Sequence, residues 1–188
     1  MTPGNRSNIP MVPWGRYPEW REANQSIQYL CRRYGRQLEP AAGLARQVKN
    51  QYETLSPLMD ELCMVTCRIC KAPCCRHAKI WYDERDLLMF HLVRMVPPPS
   101  QVISTLRDTC CYLGKNGCTL PRPSRPFICT WYVCPAQHDH VRGKKGNCRN
   151  RLMEMIQEIK QLRIRMENVF IQVTAGCSRP PGRTIGGS

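Results

Sequence analysis

The stretch CRICKAPCC, Cys67 to Cys75, packs four cysteines into one short segment and decides how the rest of the chain is read. Cysteine at that density points either to disulfides or to metal-thiolate bonds. Cys67 and Cys70 have the C-x2-C spacing at which one turn offers two thiolates to the same metal, and Cys74-Cys75 follow directly. A second block, CCYLGKNGCTLPRPSRPFICTWYVCP, adds Cys110, Cys111, Cys118, Cys129 and Cys134. These nine are the candidate ligands, because soft thiolates suit zinc and iron-sulfur clusters and four of them can surround one metal.

Several features weigh against a secreted disulfide framework. The thirteen cysteines are an odd number, and Cys74-Cys75 and Cys110-Cys111 are adjacent pairs. The opening MTPGNRSNIPMVPWGRYPEW has no basic start leading into an apolar run. A cytoplasmic protein is the expectation. No segment approaches roughly 18 continuous apolar residues, so no membrane partner is expected. The 42% hydrophobic content includes the thirteen cysteines and nine methionines, with only three phenylalanines, which predicts a modest core in need of cross-linking. The +14 formal charge, from 28 basic and 14 acidic residues, favours acidic partners or nucleic acid. Thiolate formation would lower that charge, so it discriminates little.

Outward from the cysteines, Leu44, Val48, Tyr52 and Leu55 recur at helical spacing. Ser56-Pro57 reads as the cap and first position of a second, short helix through Leu58, Met59 and Leu62. Asp83 followed by Asp86 has the pattern of an N-terminal cap for a helix through Leu87, Leu88, His91 and Met95, which Pro97-Pro98-Pro99 stops. Tyr112-Leu113 and Thr119-Leu120 flank Asn116-Gly117, a hairpin signal. Beyond the glycine-lysine segment at residues 142–146, Leu152, Met155, Ile156, Ile159, Leu162, Met166, Val169, Phe170 and Val173 form one broad stripe. The expected fold is a small, irregular α+β domain, predominantly helical, cysteine-rich and metal-stabilised. Its helices lie near residues 41–65, 83–95 and 149–173. Residues 1–20 are expected to be an extended leader pinned by Trp14 and Trp20, residues 21–175 the single metal-binding domain, and residues 176–188 a disordered tail.

Individual residues divide by context. Alternate side chains of an extended chain point apart, so at least one of Cys110 and Cys111 is expected not to ligate, and Cys111 is preferred because it leads into the hairpin. Cys31, Cys63, Cys148 and Cys177 have an ordinary core thiol as their competing reading. His77 is a candidate ligand or hydrogen-bond partner of a thiolate, His91 reads as a core histidine, and His138 or His140 would substitute for a missing cysteine. Cys63-x3-Cys67-x2-Cys70 has the spacing of a radical S-adenosylmethionine cluster motif, but the chain lacks the length and the strand-helix alternation of that barrel. A thioredoxin-like role for Cys67 and Cys70 wants a strand before the motif, and the preceding segment reads as helix. No nucleophile elbow or glycine-rich phosphate loop is present, so an enzyme is not the expectation.

The run Cys67-Arg68-Ile69-Cys70-Lys71-Ala72-Pro73-Cys74-Cys75, then Cys111-Tyr112-Leu113, Gly117-Cys118, Arg125-Pro126, Cys129 and Cys134, resembles the zinc- or iron-chelating cysteine-cluster family, whose pattern begins C-x2-C-x2-C-C. The resemblance covers about residues 60–140, with one residue inserted in the first knot. It implies a metal set of Cys67, Cys70, Cys74, Cys75, Cys111, Cys118, Cys129 and Cys134, and it matches Asp86 and Arg125-Pro126 to family elements. Members are described mainly as metal chelators, and a related module accompanies a flagellin lysine methylase. The expected function is therefore a metal-binding protein holding zinc or an iron-sulfur cluster. The alternatives are a zinc-stabilised nucleic-acid-binding module and an iron-sulfur accessory to a redox or modifying enzyme. Two partner classes stay open: a protein, and nucleic acid through Arg142, Lys144, Lys145, Arg149 and Arg151 with Trp131 and Tyr132.

Overall fold

A computed structural model describes residues 12–71, 73–77, 80–102, 109–115, 117–143 and 147–176. Residues 1–11 of the expected leader, Cys177 and the rest of the expected tail, and Lys144 and Lys145 lie outside the described residues, as does the side chain of His77. The described chain is predominantly helical: α1 (Tyr17–Arg33), α2 (Glu39–Thr66), α3 (Cys74–His77), α4 (Glu84–Leu92), α5 (Ile128–Trp131), α6 (Pro135–Gly143) and α7 (Cys148–Gly176). Strands β1 (Leu113–Gly114) and β2 (Gly117–Cys118) form one antiparallel hairpin, pairing Leu113 with Cys118 and Gly114 with Gly117. A Cβ on Gly114 would sit 2.9 Å from Thr119 Cγ2, so a larger residue there would have to displace that side chain, and Gly117 takes a φ of 111° that favours glycine.

The long helices α2 and α7 pack against each other, and α4 lies across both with α1 on its other side. The expected break at Ser56-Pro57 does not occur; α2 runs through Pro57 without interruption. Ser56 Oγ–H donates to the Tyr52 carbonyl at 2.7 Å. An interior proline costs about 3 kcal/mol. Beyond it lie Met59 and Leu62, 1% and 0% exposed in the core, with Leu55 at 0% just before. Burying each such side chain contributes about 1.5–3 kcal/mol, so packing on α7 outweighs the proline.

Helix α1 begins at Tyr17, inside the stretch expected to be extended. Glu19 accepts from the Arg16 backbone N–H at 3.3 Å, and Pro18 occupies the first turn, where a missing N–H costs nothing. Trp20 and Ile27 are buried, and the Trp20 Nε1–H donates to the Pro98 carbonyl at 3.0 Å. The proline triplet therefore receives α1 rather than stopping α4. That helix ends earlier, at Leu92, where Arg94 adopts a left-handed φ of 59° and the Met95 N–H reaches back to the Phe90 carbonyl at 2.8 Å.

One polar hub lies inside this core. Arg163, on the apolar stripe of α7, is 1% exposed. Its Nη1–H donates to Asp86 Oδ1 at 2.6 Å and to the Tyr52 hydroxyl at 3.3 Å, and its Nη2–H to Asp83 Oδ1 at 2.6 Å. The guanidinium lies over the Phe127 ring, 4.6 Å from its centroid. Asp83 and Asp86 form the expected reciprocal cap of α4, each carboxylate accepting from the other's backbone N–H at 2.9 and 3.0 Å. Asp86 also accepts from the Phe127 N–H at 3.2 Å, fixing the entry into α5. Against the cost of burial, Asp86, Tyr52 and Asp83 hold the Arg163 guanidinium above its ordinary pKa.

Removing Arg163 leaves a fully buried carboxylate without its cation, a loss of about 3–5 kcal/mol. Urea denaturation of Arg163→Met should show a fall of that size. A change below about 1 kcal/mol would show that the pair does not hold the core together.

Candidate metal centre

The hub positions the cysteine-rich half of the chain. Phe127, held by Asp86, leads into α5 and Cys129. The Tyr82 hydroxyl donates to the Ser124 carbonyl at 2.6 Å, which anchors the 3₁₀ turn Arg122–Ser124. Gln101 pairs with both backbone groups of Tyr82, accepting from its N–H at 2.6 Å and donating to its carbonyl at 3.1 Å, and the neighbouring Val102 carbonyl accepts from the Cys111 N–H at 3.1 Å.

No disulfide joins the twelve cysteines of the described residues. Seven thiols fall into two adjoining groups. In the first, Cys63 and Cys67 sit one turn apart at the end of α2, and Cys74 at the start of α3 lies close enough for its charge to act on both. The Cys67 S–H donates to the Cys63 sulfur and, with the charges of Arg122 and Arg125, outweighs burial to hold Cys63 below the ordinary thiol pKa. Cys67 is raised in return, by that hydrogen bond, by burial and by the Cys63 charge. Arg122 Nη2 lies 3.7 Å from Cys63 Sγ. Gln137 Nε2 lies 3.7 Å from Cys63 Sγ and 3.8 Å from Cys67 Sγ.

In the second group the charges of Cys129 and Cys110 act on Cys75 of α3, and those of Cys118 of β2 and Cys110 act on Cys129 of α5, so thiols from four separate places in the chain lie within electrostatic reach of one another. Hydrogen bonding to Cys74 raises Cys75, with burial and the charges of Cys74, Cys129 and Cys110 adding to the effect. Burial pushes Cys129 up to about 12, reinforced by Cys118 and Cys110. Burial likewise raises Cys110, whose N–H donates to the Cys75 carbonyl at 2.9 Å. Cys74 is lowered by the hydrogen bond from Cys75, so the adjacent pair joins the two groups.

Of the eight ligands that the family resemblance implies, Cys67, Cys74, Cys75, Cys111, Cys118 and Cys129 lie within electrostatic reach of another thiol. Cys70 is exposed on the 3₁₀ turn Cys67–Ile69, its N–H donating to the Cys67 carbonyl at 3.3 Å. Cys111 is exposed and its thiol lies 3.7 Å from the Gln101 carbonyl. The Cys134 N–H donates to Gln137 Oε1 at 3.1 Å, one residue removed from the first group. His91 ties α4 to α1, its Nε2 2.9 Å from Asn24 Oδ1. His140 Nε2 is buried without a hydrogen-bond partner among the described residues.

Four residues of this centre lie outside the ligand set that the resemblance implies. Cys63 carried a signal of another kind, since Cys63 and Cys67 share one helix face at i, i+4. Cys110 lies beside Cys75, its N–H donating to the Cys75 carbonyl, and the charge of the neighbouring Cys111 acts on it as well. Arg122 and Gln137 carried no signal, because only the packing of the 3₁₀ turn and α6 on α2 brings them to the sulfurs.

The donor set is sulfur, which fits zinc or an iron-sulfur cluster and disfavours magnesium or calcium. Among the described residues no group of three or more His, Cys, Asp or Glu side chains is drawn together tightly enough to hold a metal ion as it stands. Neighbouring thiols instead hydrogen-bond to each other, and metal uptake would have to displace those protons. No family model, curated protein or solved structure matches the chain.

The two members of the Cys110-Cys111 pair should separate on substitution. Cys110→Ser should lower bound metal per chain, measured by elemental analysis of anaerobically purified protein, while Cys111→Ser leaves it near the wild-type value. The reverse order would assign the ligand to Cys111.

Proposed function

We propose that this chain is a metal-binding protein that holds zinc or an iron-sulfur cluster through clustered cysteine thiolates, as its resemblance to the chelating cysteine-cluster family implies. The observation that supports the reading is that Cys75, Cys110, Cys118 and Cys129, from four separate places in the chain, lie within electrostatic reach of one another, with Cys75, Cys110 and Cys129 packed on the core. Thiols brought together over such sequence distances cost chain entropy. A bound metal offsets that cost, because binding at a structural site contributes directly to folding. The bound group would supply cross-linking if zinc, and electron transfer or sensing if iron-sulfur. A reducing compartment such as the cytoplasm keeps such thiols available. No helix of the described residues is long and apolar enough to cross a membrane.

A second reading, nucleic-acid binding on a metal-stabilised surface, has one observation in its favour. Trp131 and Tyr132 are 40% and 46% exposed, and Lys160 lies 5.7 Å from the Trp131 ring centroid. Aromatic faces beside cations stack on unpaired bases. Association that weakens steeply with salt would support it.

Elemental analysis and an ultraviolet-visible spectrum of protein purified without oxygen test the first reading. It predicts zinc without visible absorption, or iron with acid-labile sulfide and broad absorption, and unfolding when a chelator removes the metal. Metal-free protein that stays folded and takes up neither metal would refute it.

A further inference from the structure

We propose that Cys63 is a site of reversible oxidation by peroxide, held as a sulfenic acid whose oxygen is received by Arg122 and Gln137. This oxidation does not depend on the metal-binding reading above, because Cys63 stands outside the ligand set that the resemblance implies.

The polar surroundings of Cys63 exceed what an interior thiol requires. Cys63 is half-buried near the end of α2. Arg122 Nη2 and Gln137 Nε2 each lie 3.7 Å from its sulfur. Both donors are fixed from behind: the Arg122 Nε–H donates to Asp60 Oδ1 at 2.9 Å, and the Gln137 oxygen accepts from the Cys134 N–H at 3.1 Å. The Arg122 side chain is 1% exposed, and burying a cation is costly unless its donors are used. Its Nη1 nevertheless has no hydrogen-bond partner among the described residues. A thiol sulfur is only a weak acceptor, so it satisfies this guanidinium poorly. An oxygen placed on that sulfur adds the strong acceptor that Nη1 lacks. Cys67 and Cys70 are more exposed, but among the described residues no cationic nitrogen lies within hydrogen-bond distance of either sulfur.

The oxidant is a peroxide. The Cys63 thiol gives its proton to solvent, and the thiolate sulfur attacks one peroxide oxygen. An S–O bond forms, the O–O bond breaks, and two electrons pass from sulfur to the peroxide. The second oxygen leaves as hydroxide and takes a proton from solvent to become water. Helix geometry then preserves the product. Cys67, whose sulfur lies 3.8 Å from the same Gln137 nitrogen, is placed next to the sulfenic acid. The Cys67 N–H, however, donates to the Cys63 carbonyl, closing a helical turn. Side chains four apart on a helix have β-carbons about 5–6 Å apart, against about 3.5–4.5 Å in a disulfide. The disulfide cannot close while that turn is intact. Reduction therefore falls to an external thiol, which displaces water to give a mixed disulfide from which a second thiol releases Cys63.

Full-length protein treated with equimolar hydrogen peroxide in excess dimedone, followed by peptide mass mapping, tests this. The sulfenic-acid adduct should appear first at Cys63, and dithiothreitol added between peroxide and dimedone should prevent it. Arg122→Leu should slow adduct formation at Cys63 by about tenfold or more, as loss of a charge-assisted hydrogen bond implies, with helical circular dichroism unchanged. Arg122→Lys should recover part of the rate. Gln137→Leu leaves the Arg122 pairing with Asp60 in place and should slow the adduct less, and it decides alone if Arg122→Leu does not fold. First labelling at Cys67 or Cys70, a Cys63–Cys67 disulfide in place of the adduct, or a Cys63 rate unchanged in the folded variants would overturn the proposal. Metal content enters none of these outcomes, so each would leave the metal-binding reading standing.

Discussion

The buried pairing of Arg163 with Asp86 is the interaction from which the cysteine-rich half takes its position. A charged group in the middle of an apolar helix stripe is tolerated only when its partners are in place. Here those partners belong to three elements. Asp83 and Asp86 start α4, Tyr52 comes from α2, and Phe127, at the entry to α5, contributes both its ring and the N–H that Asp86 accepts. The same two aspartates that cap a helix thus set its register against α7 and α5. Displacing Arg163 would loosen Phe127 and, through it, Cys129.

The two thiol groups sit on either side of one short element. Helix α3 carries both Cys74 and Cys75, and the Cys75 carbonyl accepts from the Cys110 N–H at 2.9 Å. The cations near the first group, Arg122 and Arg125, come from the segment between the hairpin and α5. Arg125 also reaches the Leu120 carbonyl at 2.9 Å, bracing the chain between β2 and the 3₁₀ turn. Arg125 thus has a physical role at this point in the chain, since it also brings positive charge to Cys63.

Much of this was legible in the sequence where local rules and packing agree. The Asp83-Asp86 cap, the hairpin after Tyr112 and the α7 stripe follow from short-range hydrogen bonding and periodicity. Where tertiary packing overrides a local signal, sequence and structure diverge. Pro57 signals a helix start, yet α2 continues through it because Leu55, Met59 and Leu62 are buried on both sides of the proline. Pro18 signals an extended leader, although a proline in the first turn is compatible with α1. Arg163 lies unmarked within an apolar stripe, since nothing in one helix announces a carboxylate supplied by another. The cysteines divide likewise: spacing picks out nine candidates from Cys67 to Cys134, while which of them lie near one another depends on how α2, α3 and the hairpin pack.

X-ray absorption at the edge of the bound metal is the decisive measurement for thiolate ligation, because it counts the atoms around the metal without depending on folding or activity. Ligation by the gathered cysteines predicts a first shell dominated by sulfur, at about 2.3 Å if the metal is zinc. A shell of oxygen and nitrogen atoms alone would contradict it and would leave those cysteines as ordinary thiols of the protein interior.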